Sequence, residues 1–396
     1  MRTITVTTSA LTAALACLAA PVHAQDAKSF EVYGFAQADY VQDFKRVDPS
    51  WEATLRPSKI PTTDGAFGSD GQAILSIRQS RFGVRASVPT GGETLTAQFE
   101  FDLYGVGVDA GQTTMRVRHV YGSWGNWLAG QTNSLFMDID IFPNVVDYWG
   151  PNGMVFVRNP QIRWTPVHSG DNTFAVAIEK PSNDIDVGVF SRFEDQGLAS
   201  FQPNNEYPDI TAQYRMNQGW GHLQIAGIVR KLGLENTINP ANIVKREDTG
   251  WGVDVTASIK IGSRDKILAG VVTGSGIASY MNDGGVDMAP TTPVPATADA
   301  QAVDLTGVSV YFDHYWSSKW SSSIGYSYDE IDDLAGQAGS AFKKGEYFSA
   351  NILNTPAENI LIGAEILLGK REDRNGNDGD DSRIQFTLKY SFGAKL

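Results

Sequence analysis

The segment QTNSLFMDIDIFPNVVDYWGPNGMVFVRNPQIRW, Gln131 to Trp164, keeps neither of the two periods that order the sequence around it. Asp138, Asp140 and Asp147 make it too polar for a strand or a helix, and Pro143, Gly150, Pro151 and Gly153 make it too broken. Phe136, Ile139, Ile141, Phe142, Tyr148 and Trp149 make it too apolar for a solvated linker. A long irregular loop of this composition is expected to lay its apolar side on a wall and turn its carboxylates to water. An ordinary surface Ω-loop is the plainer reading, and the flanking sequence decides between them.

On both flanks the side chains alternate with a period of two. Leu95, Ala97, Phe99, Phe101 and Leu103 stand against Thr94, Thr96, Gln98, Glu100 and Asp102. Near the end, Ile384, Phe386, Leu388, Tyr390 and Phe392 stand against Arg383, Gln385, Thr387, Lys389 and Ser391. Further strands read at Phe30 to Tyr40, Phe82 to Val88 and Met115 to Gly122. After the loop they read at Thr173 to Lys180, Ile210 to Arg215, His222 to Arg230, Trp251 to Lys260 and Ile267 to Val271, then at 302–316, 319–329, 345–354, 359–369 and 382–392. In the Met115 strand the period puts Met115, Val117, His119 and Tyr121 on the apolar face and Arg116, Arg118 and Gly122 on the other.

Connection lengths alternate as well. Short ones fall near residues 89, 124, 168, 218, 263, 317 and 356. Long polar ones cover 43–72, 105–113, 134–153, 182–206, 232–248, 276–300, 330–344 and 370–381. Strands joined this way, with short turns on one side and long loops on the other, make an all-β fold, a transmembrane sixteen-stranded antiparallel β-barrel. A β-sandwich has no reason to segregate its connections, and no internal repeat points to a propeller.

Residues 1–24 read as a secretory signal peptide: Arg2, an apolar run from Ala10 to Ala20, and the small-x-small site Val22-His23-Ala24. Residues 25–396 then form one barrel domain without cysteine, since Cys17 lies in the leader. Loss of Arg2 moves the formal charge from −13 to −14, a balance that excludes nucleic acid as a partner. No run of about 18 apolar residues follows, so a membrane would be crossed by strands.

With the apolar faces toward lipid, the lumen inherits Glu100, Asp102, Arg81, Arg85, Arg116, Arg118, Arg163, Arg215, Arg230, Lys260, Arg383 and Lys389. Arginine keeps its charge and offers a planar fork to carboxylates, so such a wall favours anions. The competing use is structural: pairing with Glu100, Asp102 and the loop aspartates, which is expected to occupy more of these arginines than transport does. Arg78 and Arg158 fall out of phase with their neighbours.

The segments SIRQSRFGVRASVPTGG, FEFDLYGVGVDAGQTTMRVRHVYG and LAGQTNSLFMDIDIFPNVVDYWGPNGMVFVRNPQIRWTP closely resemble the DcaP-like porins of Gram-negative outer membranes. The likeness is dense from about Tyr33 to Pro166 and looser beyond. It implies a homotrimer of sixteen-stranded barrels in the outer membrane. In each, the third long loop, here about residues 133–154, folds inward and narrows a channel that prefers dicarboxylates and aromatic diacids. Carried over, the loop brings Asp138, Asp140 and Asp147 to face a wall of Arg81, Arg85, Arg116, Arg118 and Arg163. The sequence departs from some relatives in having only a few residues between the cleavage site and Phe30, and in continuing past Phe392 with Gly-Ala-Lys-Leu.

Asp373 to Asp381 offers oxygen ligands at alternate positions but lacks the glycine and the closing glutamate of a calcium loop, so a solvated acidic loop is preferred. No histidines pair at metal-ligand spacing and no G-x-S-x-G elbow occurs, so neither metal, cofactor nor catalytic residue is expected. The expectation is a porin for passive diffusion of small hydrophilic solutes, anions above all, with outer-membrane lipid and lipopolysaccharide as its surroundings. The alternatives are a surface barrel or adhesin whose loop plugs the lumen and, further off, a barrel-embedded hydrolase.

Overall fold

The computed structural model describes residues 28–105, 114–195, 200–237, 244–294 and 299–395. The expected signal peptide and Leu396 lie outside these residues. The strands are β1 Ser29–Asp43, β2 in two pieces (Gln72–Ser76 and Arg81–Thr90), β3 Glu93–Gly105, β4 Thr114–Trp124, β5 Trp127–Asn133, β6 Arg158–His168, β7 Asn172–Glu179 and β8, also in two pieces (Phe201–Pro203 and Asp209–Gln218). They continue with β9 Gly221–Asn236, β10 Val244–Ile261, β11 Asp265–Ser275, β12 Asp304–His314, β13 Trp320–Ile331, β14 Phe342–Asn354, β15 Ile360–Asp373 and β16 Asp378–Lys395.

Each strand pairs antiparallel with its neighbours in sequence. β1 then pairs with β16 from Glu31 opposite Lys395 to Asp43 opposite Arg383, and this closes a sixteen-stranded barrel. Closure leaves no unpaired sheet edge, the condition a sheet must meet in lipid. No helix among the described residues is long and apolar enough to cross a membrane. The outward set includes Phe99, Ile162, Ile225, Val271, Ile324, Ile366 and Phe386, all exposed, while Gln98, Glu100, Gln224, Glu365 and Gln385 on the opposite faces are buried. Hairpins at the short-turn end are tight, as at Gly91 and Gly92, whose positive φ angles of 63° and 86° suit a two-residue turn.

Three expectations need correction. A bulge in β4 shifts register between Glu100 and Phe101 of the partner strand, so the phase slips at His119. Val120 then faces out, His119 turns in to Thr132 at 3.0 Å, and Tyr121 turns in to Gln98 at 2.9 Å. The regions 232–248 and 370–381 are not long loops. β9 and β10 pair up to Asn236 opposite Val244, and β15 and β16 up to Glu372 opposite Asp378. Cross-strand charges such as Lys231–Glu247 at 3.3 Å and Lys370–Asp378 at 3.1 Å sustain pairing where hydrophobic alternation has ended.

The third correction concerns the lumen, which is not polar throughout. Loops 44–71, 134–157 and 276–303 build apolar clusters against inward side chains of β9 to β15. One joins Phe136, Met137 and Val155 to Ile277, Tyr280 and Met281 over Ile228, Val272, Leu305 and Ile331. A second joins Leu55, Ile60, Ile141 and Met154 to Leu268, Tyr311, Tyr347 and Leu367. Inward glycines make the close approach possible: a Cβ at Gly252 would meet Phe136 at 2.9 Å, and one at Gly369 would meet Ile60 at 2.9 Å.

Candidate functional site

The segment from Ser134 to Val157 is tied to wall residues around much of the circumference. Near its start Glu179 of β7 accepts from Ser134 Oγ and the Leu135 amide, and Asp138 accepts from Thr256 of β10 while bonding His222 of β9 at 2.7 Å. At mid-loop the Val146 and Asp147 amides donate to Glu365 of β15 at 3.1 and 2.9 Å. Asn152 then reaches Asp329 of β13 and the Gly345 carbonyl of β14. The other two loops brace it: Asn282 donates to the Trp149 and Pro151 carbonyls, and Arg56 lies against both the Trp51 and Trp149 rings while bound to Asp283 at 2.8 Å.

The loop carboxylates do not turn to water as their polarity suggested. Asp138 and Asp147 are buried, and only Asp140 remains open, salt-bridged to Arg215 at 2.5 Å. Burial raises the Asp138 carboxyl, but His222, Thr256 and Arg215 outweigh it and hold the group below its ordinary value. At Asp147 burial wins over donors from Thr54, Gly150 and Leu55, and the carboxyl is pushed up. Neither aspartate meets the arginines of β2 to β6: Asp138 belongs to Arg215 and His222, and Asp147 to Thr54 and Tyr347.

That arginine wall is organised by strand carboxylates. Asp102 takes Arg116 through two contacts of 3.2 and 2.9 Å and Arg118 at 3.0 Å. Glu100 takes Arg118 at 2.7 Å and stands 3.6 Å from Arg81. Arg85 pairs with Glu31 at 3.6 Å near the short-turn end, and Arg163 bonds Gln161 and the Asn133 carbonyl. Pairing therefore occupies most of the predicted arginines. The residues that sequence periodicity missed are Tyr148, whose hydroxyl reaches Asp102, and Arg158, which lies over the Phe156 ring at 4.8 Å with no ion pair among the described residues. Arg78 likewise turns inward, onto Tyr104 at 4.5 Å.

Two cavities flank this wall. One is lined by Phe35, Arg81, Arg118, Phe142, Tyr148 and Lys389, the other by Arg116, Tyr148, Trp149, Phe156, Arg158 and Asn282. At about 270 and 290 Å³, each has room for several waters at about 30 Å³ apiece. The acidic stretch 373–381 is spent on ion pairs, Asp373 with Arg371, Asp380 with Lys45 and Asp381 with Arg383, and no metal-holding cluster occurs among the described residues.

Residues 13–392 match the family described as DcaP outer membrane protein. The chain belongs to that family. The crystal structure of the outer membrane channel DcaP of Acinetobacter baumannii superimposes with a TM-score of 0.77 at 23% identity, over 92% of this chain and 97% of that one. An anion-selective porin from Comamonas acidovorans shares the fold at a TM-score of 0.56 and 11% identity, over 93% and 100%. OmpT of Vibrio cholerae in its trimer form shares it at 0.54 and 13%, also over 93% and 100%. No curated protein matches. A DcaP-family barrel is thus an outer-membrane channel in architecture, and in this one an arginine wall stands opposite an apolar, loop-filled one.

Proposed function

We propose that the protein is a passive diffusion channel for small hydrophilic anions, dicarboxylates and aromatic diacids among them. Solutes move along a corridor between the arginine wall and the inward face of loop 134–157, which constricts it. The observation that carries the reading is the charge on the corridor: Arg81, Arg116, Arg118, Arg158 and Lys389 line it against Glu100 and Asp102. Guanidinium forks beside Phe35, Phe142 and Phe156 suit an anion with an aromatic body, with carboxylates meeting the forks and the ring meeting the phenyl groups. The signal peptide directs export to the outer membrane, and assembly as a homotrimer accords with the trimer form of the similar OmpT.

The test is single-channel conductance and reversal potential of the purified protein in a planar bilayer, with phthalate added. Anion preference and transient closures by the diacid are expected. A folded barrel that does not conduct would favour the plugged surface barrel, which the apolar clusters of the three inward loops would then explain.

A further inference from the structure

We infer that Tyr148 sets the charge selectivity of the corridor by covering Asp102. The inference rests on the corridor being the route, and concerns how its net positive field arises. Asp102 is fully buried and receives a dense set of donors: Arg116 twice, Arg118, the Tyr104 amide at 3.1 Å and the Tyr148 hydroxyl at 2.5 Å. Tyr148 is the one of these contributed by the loop.

Two contacts hold its ring in place. It stacks on Tyr104 with centroids 3.8 Å apart and planes 15° apart, and the Arg116 guanidinium lies 5.1 Å from its centroid. Arg118 donates to its hydroxyl at 3.0 Å, so the oxygen bridges the cation and the carboxylate. Tyr148 also borders both cavities. A passing ion on either side therefore meets the ring and the open edge of Arg116, whose side chain is 31% exposed, and not the carboxylate beneath. The ring strengthens the positive face that the wall presents by keeping a negative charge away from the path.

At a separation of about 6 Å, one charge in a water-like dielectric changes the partition of an ion about threefold, and about twofold once salt at about 0.1 M screens it. Reversal potentials in a salt gradient at about 0.1 M are measured for the parent, Tyr148→Phe, Tyr148→Ala, Asp102→Asn and the Tyr148→Ala/Asp102→Asn double variant. Heat-modifiable migration verifies that each barrel is folded.

Tyr148→Ala should lower the anion-to-cation ratio about fourfold at this salt, since anion and cation respond oppositely, and Tyr148→Phe, which keeps the ring, should lower it less. Asp102→Asn should move the ratio further in the Tyr148→Ala background than in the parent, the non-additivity expected of a cover and the charge it covers. Tyr148→Ser takes the place of the alanine variant if that one does not fold. A Tyr148→Ala channel that conducts more at an unchanged ratio would make Tyr148 a steric partition and overturn the inference, as would additive effects of the two substitutions. The shift is read against the parent. A parent without anion preference would therefore sink the transport reading while leaving this comparison decisive.

Discussion

Replacing Arg158 with glutamine separates charge in the corridor from charge that holds the fold together. Arg158 opens β6, rests on Phe156 at 4.8 Å and lines the cavity shared with Arg116, yet no carboxylate lies within ion-pair distance among the described residues. Its Nε is buried without a hydrogen-bond partner. The substitution thus removes one positive charge from the path and leaves no buried anion behind. At about 6 Å in a water-like dielectric, a unit charge contributes about 0.7 kcal/mol to the energy of a passing ion, about threefold in partition. Salt at about 0.1 M, with a Debye length of about 10 Å, reduces this to about twofold, and at about 1 M it nearly vanishes. Because an anion and a cation respond oppositely, their permeability ratio should fall about fourfold at about 0.1 M and hardly at all at about 1 M. Reversal potential at the two ionic strengths measures this, with thermal unfolding unchanged. A ratio that stays constant at low salt would refute the placement of Arg158 on the route.

Two further outcomes follow from the same contacts. Arg118→Ala takes a shared guanidinium from Glu100 and Asp102, both nearly inaccessible but still partnered by Arg81 and Arg116, so it should cost less than the ~3–5 kcal/mol of a fully unpaired buried charge and still appear as earlier unfolding in denaturant, unlike Arg158→Gln. The Asp138 carboxyl, held below its ordinary 3.8, adds stability that is present above that value and is lost only as pH falls through its lower folded value. The conductance difference between the parent and Asp138→Asn should therefore be the same at pH 7 and at about pH 4.5; a difference that disappears by about pH 5 would show that the group titrates in or above the ordinary range.

The barrel was legible because a lipid-facing wall leaves a period-two imprint that survives mixed inner faces, as from Leu95 to Leu103 and from Ile384 to Phe392. What periodicity hid were departures from it. The β4 bulge turned His119 and Tyr121 inward although their neighbours predicted the opposite, since one extra residue inverts the facing of all that follow. Strands such as Ile267 to Val272 are apolar on both faces, the mark of a strand covered on both sides, and this was the available sign that loops coat β9 to β15. The wall arginines were found, but their partners were only half found. Glu100 and Asp102 follow from strand phase, whereas the fate of Asp138, Asp147 and Tyr148 depends on where an aperiodic loop lands.

Where the loop lands also decides where solute can pass. Phe136, Ile141, Leu55, Ile60, Ile277 and Tyr280 are each removed from water against β9 to β15, and burial of such a side chain is worth about 1.5–3 kcal/mol. On the β2 to β6 side loop 44–71 meets the wall at Ile74 and Tyr104, where Trp51 and Ala53 pack, whereas an apolar loop settling on Arg81 or Arg116 would strip water from guanidinium groups without replacing its hydrogen bonds. Tyr148 approaches the arginines themselves with a hydroxyl that satisfies Asp102 and Arg118. The arginines therefore act twice, limiting how closely apolar loop side chains settle on Arg81 and Arg116 and presenting their charge in the space that this keeps open.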